Sequence, residues 1–205
     1  ELIEQGDDFQ AAREFAVQLA GERGAHMVPS FHADLVRGVA SYWVEFFASF
    51  ASGDAPEVVF VPIGLGSGIC ACAAARAYAG VRTRIVGVVS AHALAYQLSF
   101  EAGRAIEAPV STLLADGMAC RVPEPEALEI IRREVDEIVS VSDDEIAAAM
   151  RALFADTHNV AEGAGAAPLA ALLQQRERWV GRRVGLSLSG GNVDSAQFAR
   201  VLAGA

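Results

Sequence analysis

A glycine-rich segment at residues 64–68 carries the clearest chemical signal in this sequence of 205 residues. It reads Gly64, Leu65, Gly66, Ser67, Gly68, and it lies between an apolar run and a stretch of small residues. Glycines let the backbone turn tightly and approach a ligand closely. Successive backbone N–H groups, together with the amino end of a following helix, form an anion site. The segment predicts phosphate binding, although a plain glycine-rich turn between a strand and a helix has the same pattern.

The residues around this segment argue against two nucleotide-binding motifs. A dinucleotide fold requires a third glycine where Ile69 stands, and an acidic residue near Ser90, where the next apolar run ends. A P-loop requires a lysine after its glycines. The chain contains no lysine, since all 16 basic residues are arginine. For the same reason, this chain alone cannot complete a mechanism that uses a lysine nucleophile.

Two further segments place polar side chains beside small residues. Ser189 is followed by two glycines and Asn192 at the end of another apolar run. A hydroxyl at the carboxyl end of a strand faces the ligand crevice of an open α/β sheet, and Asn192 is also a candidate cap for the next helix. Glu162 precedes small residues that permit close packing against a flat object or another backbone. A carboxylate at that position is also a favourable partner for the helix dipole.

Composition limits the class of protein. The net charge of −10 argues against nucleic acid and anionic membrane surfaces as partners. No apolar run reaches the roughly 18 residues that a membrane-spanning helix needs. The three cysteines have neither the spacing of a disulfide framework nor that of metal ligands, which is typical of buried thiols in a cytosolic protein. We therefore expect a cytoplasmic protein.

Short apolar runs alternate with helix-like segments along the chain. Continuously apolar runs of this length are typical of strands buried on both faces of a parallel sheet. The predicted strands cover residues 58–63, 85–89, 138–141 and 184–188. Helices are predicted near residues 35–50, 68–80, 125–133, 142–154, 164–175 and 193–202, and Ser142 with Glu145 fits a capping box. The pattern predicts an α/β fold with a mostly parallel open sheet and helices on both faces.

The first 30 residues are organised differently. Residues 2–3 are interpreted as the end of a strand, Asp7 or Asp8 as the cap of a helix, and residues 26–28 as a short strand. A chain that opens directly in the end of a strand predicts that residues 1–30 are the last part of a smaller domain.

In their order and spacing, these segments resemble the fold-type II pyridoxal-phosphate enzymes, and threonine dehydratase and serine racemase most of all. The glycine-rich loop is followed by Asp116 and Gly117, then by Glu162 with its small residues, then by Ser189 with its two glycines. The segment from Val36 to Glu45 is similar to the family's crossing from the small domain back to the large one. The resemblance covers essentially the whole chain and implies a fold like that of the tryptophan synthase β chain.

The resemblance implies a cofactor, pyridoxal 5′-phosphate, and the residues that hold it. Loop N–H groups would bind its phosphate, Ser189 would hydrogen-bond its pyridine nitrogen, and Glu162 would lie near its ring. The expected cofactor-binding residues are Gly64, Leu65, Gly66, Ser67, Gly68, Glu162, Ser189, Gly190 and Asn192. The family reaction takes a hydroxy amino acid such as L-threonine or L-serine, removes its α-proton, expels its β-hydroxyl and releases ammonia and a 2-oxo acid.

The chain departs from the family pattern in three places. Leu65 and Ser67 interrupt a loop that usually has four consecutive glycines. Residues 89–91 lack the acidic side chain with which some relatives bind a divalent cation, so we expect no metal site. The Schiff-base lysine of the family and the loop that binds the substrate carboxylate match nothing in this chain. We expect both upstream, and no catalytic residue within these residues.

The resemblance also implies a domain organisation and a set of partners. Residues 1–30 would be the C-terminal remnant of the small domain, and residues 31–205 the large pyridoxal-phosphate-binding domain. The predicted function is an ammonia-lyase for a hydroxy amino acid, a small-molecule substrate, and the enzyme is predicted to be a homodimer or homotetramer. The alternatives are a truncated cofactor-binding relative without activity, a racemase, and a dehydratase of an ectoine derivative, which residues 156–159 suggest.

Overall fold

A four-stranded parallel sheet forms the centre of the protein. The structure, a computed structural model, describes residues 1–204. The strands are β1 (Val58–Pro62), β2 (Arg84–Ser90), β3 (Glu137–Val141) and β4 (Val184–Leu186). Their order is β3-β2-β1-β4, and each neighbouring pair is parallel. The four predicted strands and the predicted fold class are confirmed.

Eight α-helices within residues 1–204 surround this sheet. They are α1 (Phe9–Arg23), α2 (Ala33–Ala48), α3 (Ser67–Ala79), α4 (Ala95–Ala102), α5 (Pro125–Glu134), α6 (Asp143–Thr157), α7 (Gly163–Gln174) and α8 (Ser195–Ala203). None of these eight helices combines the length and the apolar character that crossing a membrane requires.

Alternate side chains of the central strands face two separate cores, because successive residues of a strand point to opposite faces. Val59 and Val61 are buried in a core that includes residues of α2, α3 and α5. Val58 and Phe60 are buried in a second core with residues of α6, α7 and α8. Helices therefore cover both faces of the sheet. This double covering is why the strands are continuously apolar rather than alternating.

A proline and a capping box mark the starts of α5 and α6, respectively. The hydroxyl of Ser142 accepts from the N–H of Glu145 at 3.2 Å, and the Glu145 carboxylate accepts from the N–H of Ser142 at 2.8 Å. This is the predicted capping box. Pro125 takes the first position of α5, where its missing N–H costs no hydrogen bond. Helix α6 ends at Thr157, and His158 after it is an exposed residue with a left-handed φ of 57°.

Three elements differ from the sequence prediction. Helix α4 is not predicted, because it has only eight residues and Leu94 before it provides no side-chain cap. The strands predicted at residues 2–3 and 26–28 are wrong, since both segments are irregular. Leu2 and Val28 are 86% and 74% exposed. Within the described residues neither segment lies beside a strand that would pair its backbone groups.

Helix α1 is attached by ion pairs rather than by burial. Asp8, one of the two residues predicted to cap this helix, is its cap and accepts a backbone hydrogen bond of 2.7 Å. None of the helix residues is buried. Asp8 also pairs with Arg121 at 2.7 Å, and Arg13 pairs with Glu124 at 3.0 Å. Partly exposed pairs of this kind stabilise by about 0–1 kcal/mol each, so α1 is held less firmly than the helices that contribute to the two cores.

Candidate functional site

A cavity of about 440 Å³ opens at the carboxyl edge of the sheet. Because β1 and β4 are parallel neighbours, the segments that follow them leave the sheet at the same edge. The volume falls within the range of roughly 300–1,000 Å³ that is typical of small-molecule sites. The cavity is lined by Val39, Tyr42, Val61, Pro62, Gly64, Leu65, Gly66, Ser67, Gly68, Gly117, Glu162, Ala164, Leu188 and Ser189.

Most residues singled out from the sequence are brought together in this wall. Those that line the cavity are Gly64, Leu65, Gly66, Ser67, Gly68, Glu162 and Ser189. Gly190 packs against the Glu162 carboxyl group instead, and Asn192 is exposed. The roles of all nine in holding a cofactor stay predictions.

The backbone N–H groups of residues 64–68 are available to a ligand. In the part of the chain that the structure describes, none of them meets a hydrogen-bond acceptor. Ser67 is the first residue of α3, and Gly66 before it has a φ of 99°, a left-handed conformation that favours glycine. The N–H groups and the positive end of the α3 dipole therefore lie at the same wall, which fits a phosphate group.

Two buried side chains hold carbonyl groups of this loop. The hydroxyl of Tyr96, on α4, donates to the C=O of Leu65 at 2.8 Å. The indole Nε1 of Trp43, on α2, donates to the C=O of Gly68 at 3.2 Å. Both side chains are 1% exposed. Sequence reasoning identified neither residue, because each lies far along the chain from the loop that it contacts.

Close backbone packing explains several of the glycines. A Cβ atom on Gly64 would collide with the carbonyl oxygen of Gly117, and one on Gly165 with that of Gly190. A Cβ atom on Gly190 would overlap the carboxyl group of Glu162. The start of α7 thus packs against another backbone, as one interpretation of its small residues predicts. The glycines allow these segments to meet at one edge of the sheet.

Glu162 is a partly buried acid in the cavity wall. Burial raises the pKa of its carboxyl group, and the negative charge of Asp116 raises it further. Its backbone N–H donates to the C=O of Gly190 at 3.0 Å, and its carboxylate does not cap α7. Glu162 directly precedes the first residue of α7, so its position fits both a favourable dipole interaction and a place in the cavity wall. The side chain contributes to the cavity itself.

The segment after β4 brings Ser189 into the cavity wall. Helix α8, which follows this segment, begins later than predicted. Asp194 caps α8 and accepts two backbone hydrogen bonds of 2.9 and 3.1 Å. The alternative prediction that Asn192 caps this helix is wrong. Within residues 1–204 the buried hydroxyl of Ser187 has no hydrogen-bond partner.

Sequence reasoning gave no role in the site to the part of the wall that other elements supply. Val39 and Tyr42 come from α2, and Gly117 comes from a single 3₁₀ turn, Asp116–Met118. Burial raises the pKa of the Tyr42 hydroxyl. These residues reach the cavity only because α2 packs against α3 and the turn packs against α7. Local sequence carries no signal for such contacts.

The three cysteines do not belong to this wall. Cys70, Cys72 and Cys120 are buried and unpaired, as predicted. Burial raises the pKa of Cys70 to about 12 and that of Cys120 to about 11, so both stay thiols at neutral pH. Across residues 1–204, no three or more His, Cys, Asp or Glu side chains are grouped so that they could hold a metal ion.

Comparison with known proteins identifies the family that this fold and site define. Residues 1–190 match the family model described as pyridoxal-phosphate dependent enzyme. The chain belongs to this family, whose cofactor is pyridoxal phosphate. The resemblance inferred from the sequence is confirmed.

Named relatives place the chain within the family. The L-threonine ammonia-lyase of Geobacter sulfurreducens is 39% identical over 197 residues, which are 95% of this chain and 48% of the relative. The phenylserine dehydratase of Ralstonia pickettii is 34% identical over 203 residues, 98% of this chain and 60% of the relative. The chain spans about half the length of the curated relatives it matches.

Solved structures share the fold. The crystal structure of a threonine deaminase from T.th. has a TM-score of 0.78 and 34% sequence identity, and the match covers 87% of this chain and 66% of that chain. The processed form of threonine deaminase isoform 2 from Solanum lycopersicum has a TM-score of 0.88 at 24% identity, over 99% of this chain and 60% of that chain. The second likeness concerns the fold alone.

Substitution of Gly64 by alanine tests the close approach of two backbones at the cavity. The added methyl group collides with the Gly117 carbonyl oxygen, which no rotamer change can relieve. We expect Gly64→Ala to lower the free energy of unfolding by about 2–3 kcal/mol, measured by urea denaturation. Gly68→Ala is the matched control, because a Cβ atom there meets nothing within 4 Å. Equal stability of the two variants would contradict the packing.

The raised pKa of Glu162 predicts a pH-dependent gain in stability when its charge is removed. The folded state binds this proton more tightly than the unfolded state, so the wild type is penalised at pH values where an unfolded glutamate is ionised. We expect Glu162→Gln to raise the free energy of unfolding at pH 7.5, and this gain to shrink as the pH falls toward about 4.

The background variant Asp116→Asn serves as the control for this titration. It removes the charge that contributes to the shift, so the gain from Glu162→Gln should be smaller in that background. A gain that does not vary between pH 4 and pH 7.5 would show that the carboxyl group is not perturbed.

Proposed function

We propose that this chain is the cofactor-holding part of a pyridoxal-phosphate-dependent ammonia-lyase. The enzyme acts on a hydroxy amino acid such as L-threonine or L-serine, and β-elimination yields a 2-oxo acid and ammonia. One observation carries the proposal: a single cavity, in a member of this family, is lined by Glu162, by Ser189 and by the loop at residues 64–68. The N–H groups of this loop have no hydrogen-bond acceptor within the described chain. The names of the relatives at 34% and 39% identity support the choice of reaction.

The phosphate of the cofactor would be held by residues 64–68. The N–H groups there have no acceptor within the described chain, and the α3 dipole adds positive potential at the same wall. The side chain of Ser67 adds a hydroxyl to the cavity lining. Among residues 1–204, no lysine or arginine lines this cavity. Backbone dipoles would therefore supply most of the attraction for the phosphate.

The ring would lie between the start of α7 and the segment after β4. The hydroxyl of Ser189 would donate to the pyridine nitrogen, with Gly190 and Asn192 shaping its segment. A neutral hydroxyl at that nitrogen leaves it largely unprotonated. The cofactor, when bound, supplies an electron sink for the α-carbon of the substrate, and an unprotonated ring moderates that sink. Glu162, whose pKa is raised, can hold a proton beside the ring.

We also propose a division of the chain into two parts. Residues 31–205 are the large domain, and residues 1–30 belong to a smaller one. In support, α1 buries none of its residues against the rest of the chain. The reactive amine must come from outside these residues, because the chain contains no lysine. By its resemblance to the family, we expect the assembled enzyme to be a cytoplasmic homodimer or homotetramer.

A second candidate function is a cofactor-binding relative without activity. The composition of the chain favours it, since an enzyme of this family needs an amine that no side chain here provides. The racemase and ectoine-derivative alternatives concern the same site. The maize serine racemase structure, at 23% identity, supports only the shared fold.

An added negative charge in the loop tests the phosphate site. We expect Ser67→Asp to abolish binding of pyridoxal phosphate by charge repulsion in the N–H cradle, measured by equilibrium dialysis. Ser195→Asp is the matched control, because Ser195 is also the first residue of a helix, α8, and is exposed. This variant should bind as the wild type does. Unchanged affinity in Ser67→Asp would contradict the loop assignment.

If the reactive amine lies outside these residues, the isolated chain and the complete gene product should differ in lyase activity. The isolated chain, mixed with pyridoxal phosphate and L-threonine or L-serine, should release no 2-oxo acid beyond the rate of the free cofactor. The complete gene product that contains these residues should release it. A borohydride-stable adduct within the 205 residues, or release of 2-oxo acid by the isolated chain above that rate, would refute this division. Cofactor binding without lyase activity in the complete product would favour the second candidate.

A further inference from the structure

We infer that Tyr96 is a positioning residue of the cofactor site. Its hydroxyl fixes the peptide unit between Leu65 and Gly66, so that the N–H of Gly66 is presented to the phosphate. The inference rests on the proposed function, since it concerns the same loop. It assigns a role to a residue on α4, an element that contributes no side chain to the cavity wall in the described chain.

The hydroxyl of Tyr96 makes two hydrogen bonds that use its donor and an acceptor site. It donates to the C=O of Leu65 at 2.8 Å and accepts from the N–H of Glu124 at 3.0 Å. The side chain is 1% exposed, so water does not compete for these bonds. Burial raises the pKa of the hydroxyl. It therefore keeps its proton, and remains a donor, at neutral and moderately alkaline pH.

Because the peptide bond is planar, the hydrogen bond that fixes the Leu65 carbonyl also fixes the direction of the Gly66 N–H. In a trans peptide the C=O of one residue and the N–H of the next point in opposite directions. Holding the Leu65 oxygen toward Tyr96 therefore turns the Gly66 N–H away from Tyr96. A Cβ atom on Gly66 would lie 3.4 Å from the Tyr96 hydroxyl oxygen and 2.7 Å from the Cβ of Ala127. Protein atoms thus fill the side of the loop where Tyr96 lies.

Loss of this hydroxyl would free the peptide unit to rotate. The Leu65 carbonyl would lose its donor and could turn its negative end toward the phosphate, where it repels. Trp43 acts on the same loop as a second donor, through the Gly68 carbonyl at 3.2 Å. Two side chains from different helices therefore hold carbonyl groups of a loop whose N–H groups find no acceptor among the described residues.

The test compares two probes that differ only in the phosphate group. Pyridoxine 5′-phosphate and pyridoxine lack the aldehyde, so neither reacts with an amine. Their affinities for the 205-residue chain and its variants are measured by equilibrium dialysis. We expect Tyr96→Phe to weaken binding of the phosphate ester about tenfold, the effect of one lost hydrogen bond. Binding of pyridoxine should not change. Tyr78→Phe, at a side chain 82% exposed, should alter neither affinity.

The possible results test the role of Tyr96 and the cofactor site separately. An equal loss for both probes would show a general structural role and overturn the inference, as would no loss for the phosphate ester. A wild-type chain that binds neither probe would overturn the proposed cofactor site itself. If circular dichroism shows that Tyr96→Phe does not fold, Trp43→Phe replaces it, and the same selective loss for the phosphate ester is required.

Discussion

The backbone hydrogen bonds between β1 and β4 join two parts of the chain that are far apart in sequence. Val58 lies opposite Val184, and Phe60 opposite Leu186. Because the two strands run in the same direction, the glycine-rich loop after β1 and the serine segment after β4 emerge side by side. An antiparallel pairing would place them at opposite edges. The cavity, the Ser189 segment and the glycine-rich loop that line it all depend on this pairing.

Glycine then determines how closely the emerging segments approach. The loop, the 3₁₀ turn and the start of α7 meet backbone to backbone, with Gly64 against Gly117 and Gly165 against Gly190. Contacts of this kind leave little room for side chains, so few of the lining residues have polar side chains. Glu162 is the one acidic residue among the described residues that line the cavity, and burial disfavours its charge.

Much of this arrangement was predictable from short-range patterns. The central strands β1 and β2 were predictable because they are buried along almost their whole length and are mostly apolar. The starts of α5 and α6 follow from Pro125 and from the Ser142 capping box. Helix α4 was not predictable, since it is short and lacks a cap. Strands at residues 2–3 and 26–28 were predicted wrongly, because β-forming composition does not supply a partner strand.

The candidate site, like the fold, was predictable from the sequence only in part. Its loop residues and Ser189 stand in contiguous motifs, and the sequence located them. Tyr42, Trp43 and Tyr96 reach the loop or the cavity from helices that are distant in sequence, and only tertiary packing reveals them. The cap of α8 was misplaced from Asp194 to Asn192 because both residues are good caps and lie two positions apart.

The unequal lengths of β1 and β4 give the two ends of the cavity different stiffness. β1 spans five residues between two partner strands, whereas β4 spans three and, within the described chain, pairs on one side only. Short edge strands open with smaller free energies than central ones, and their amide hydrogens exchange faster. The cavity wall that carries Ser189 therefore follows a less firmly held strand than the wall formed by residues 64–68.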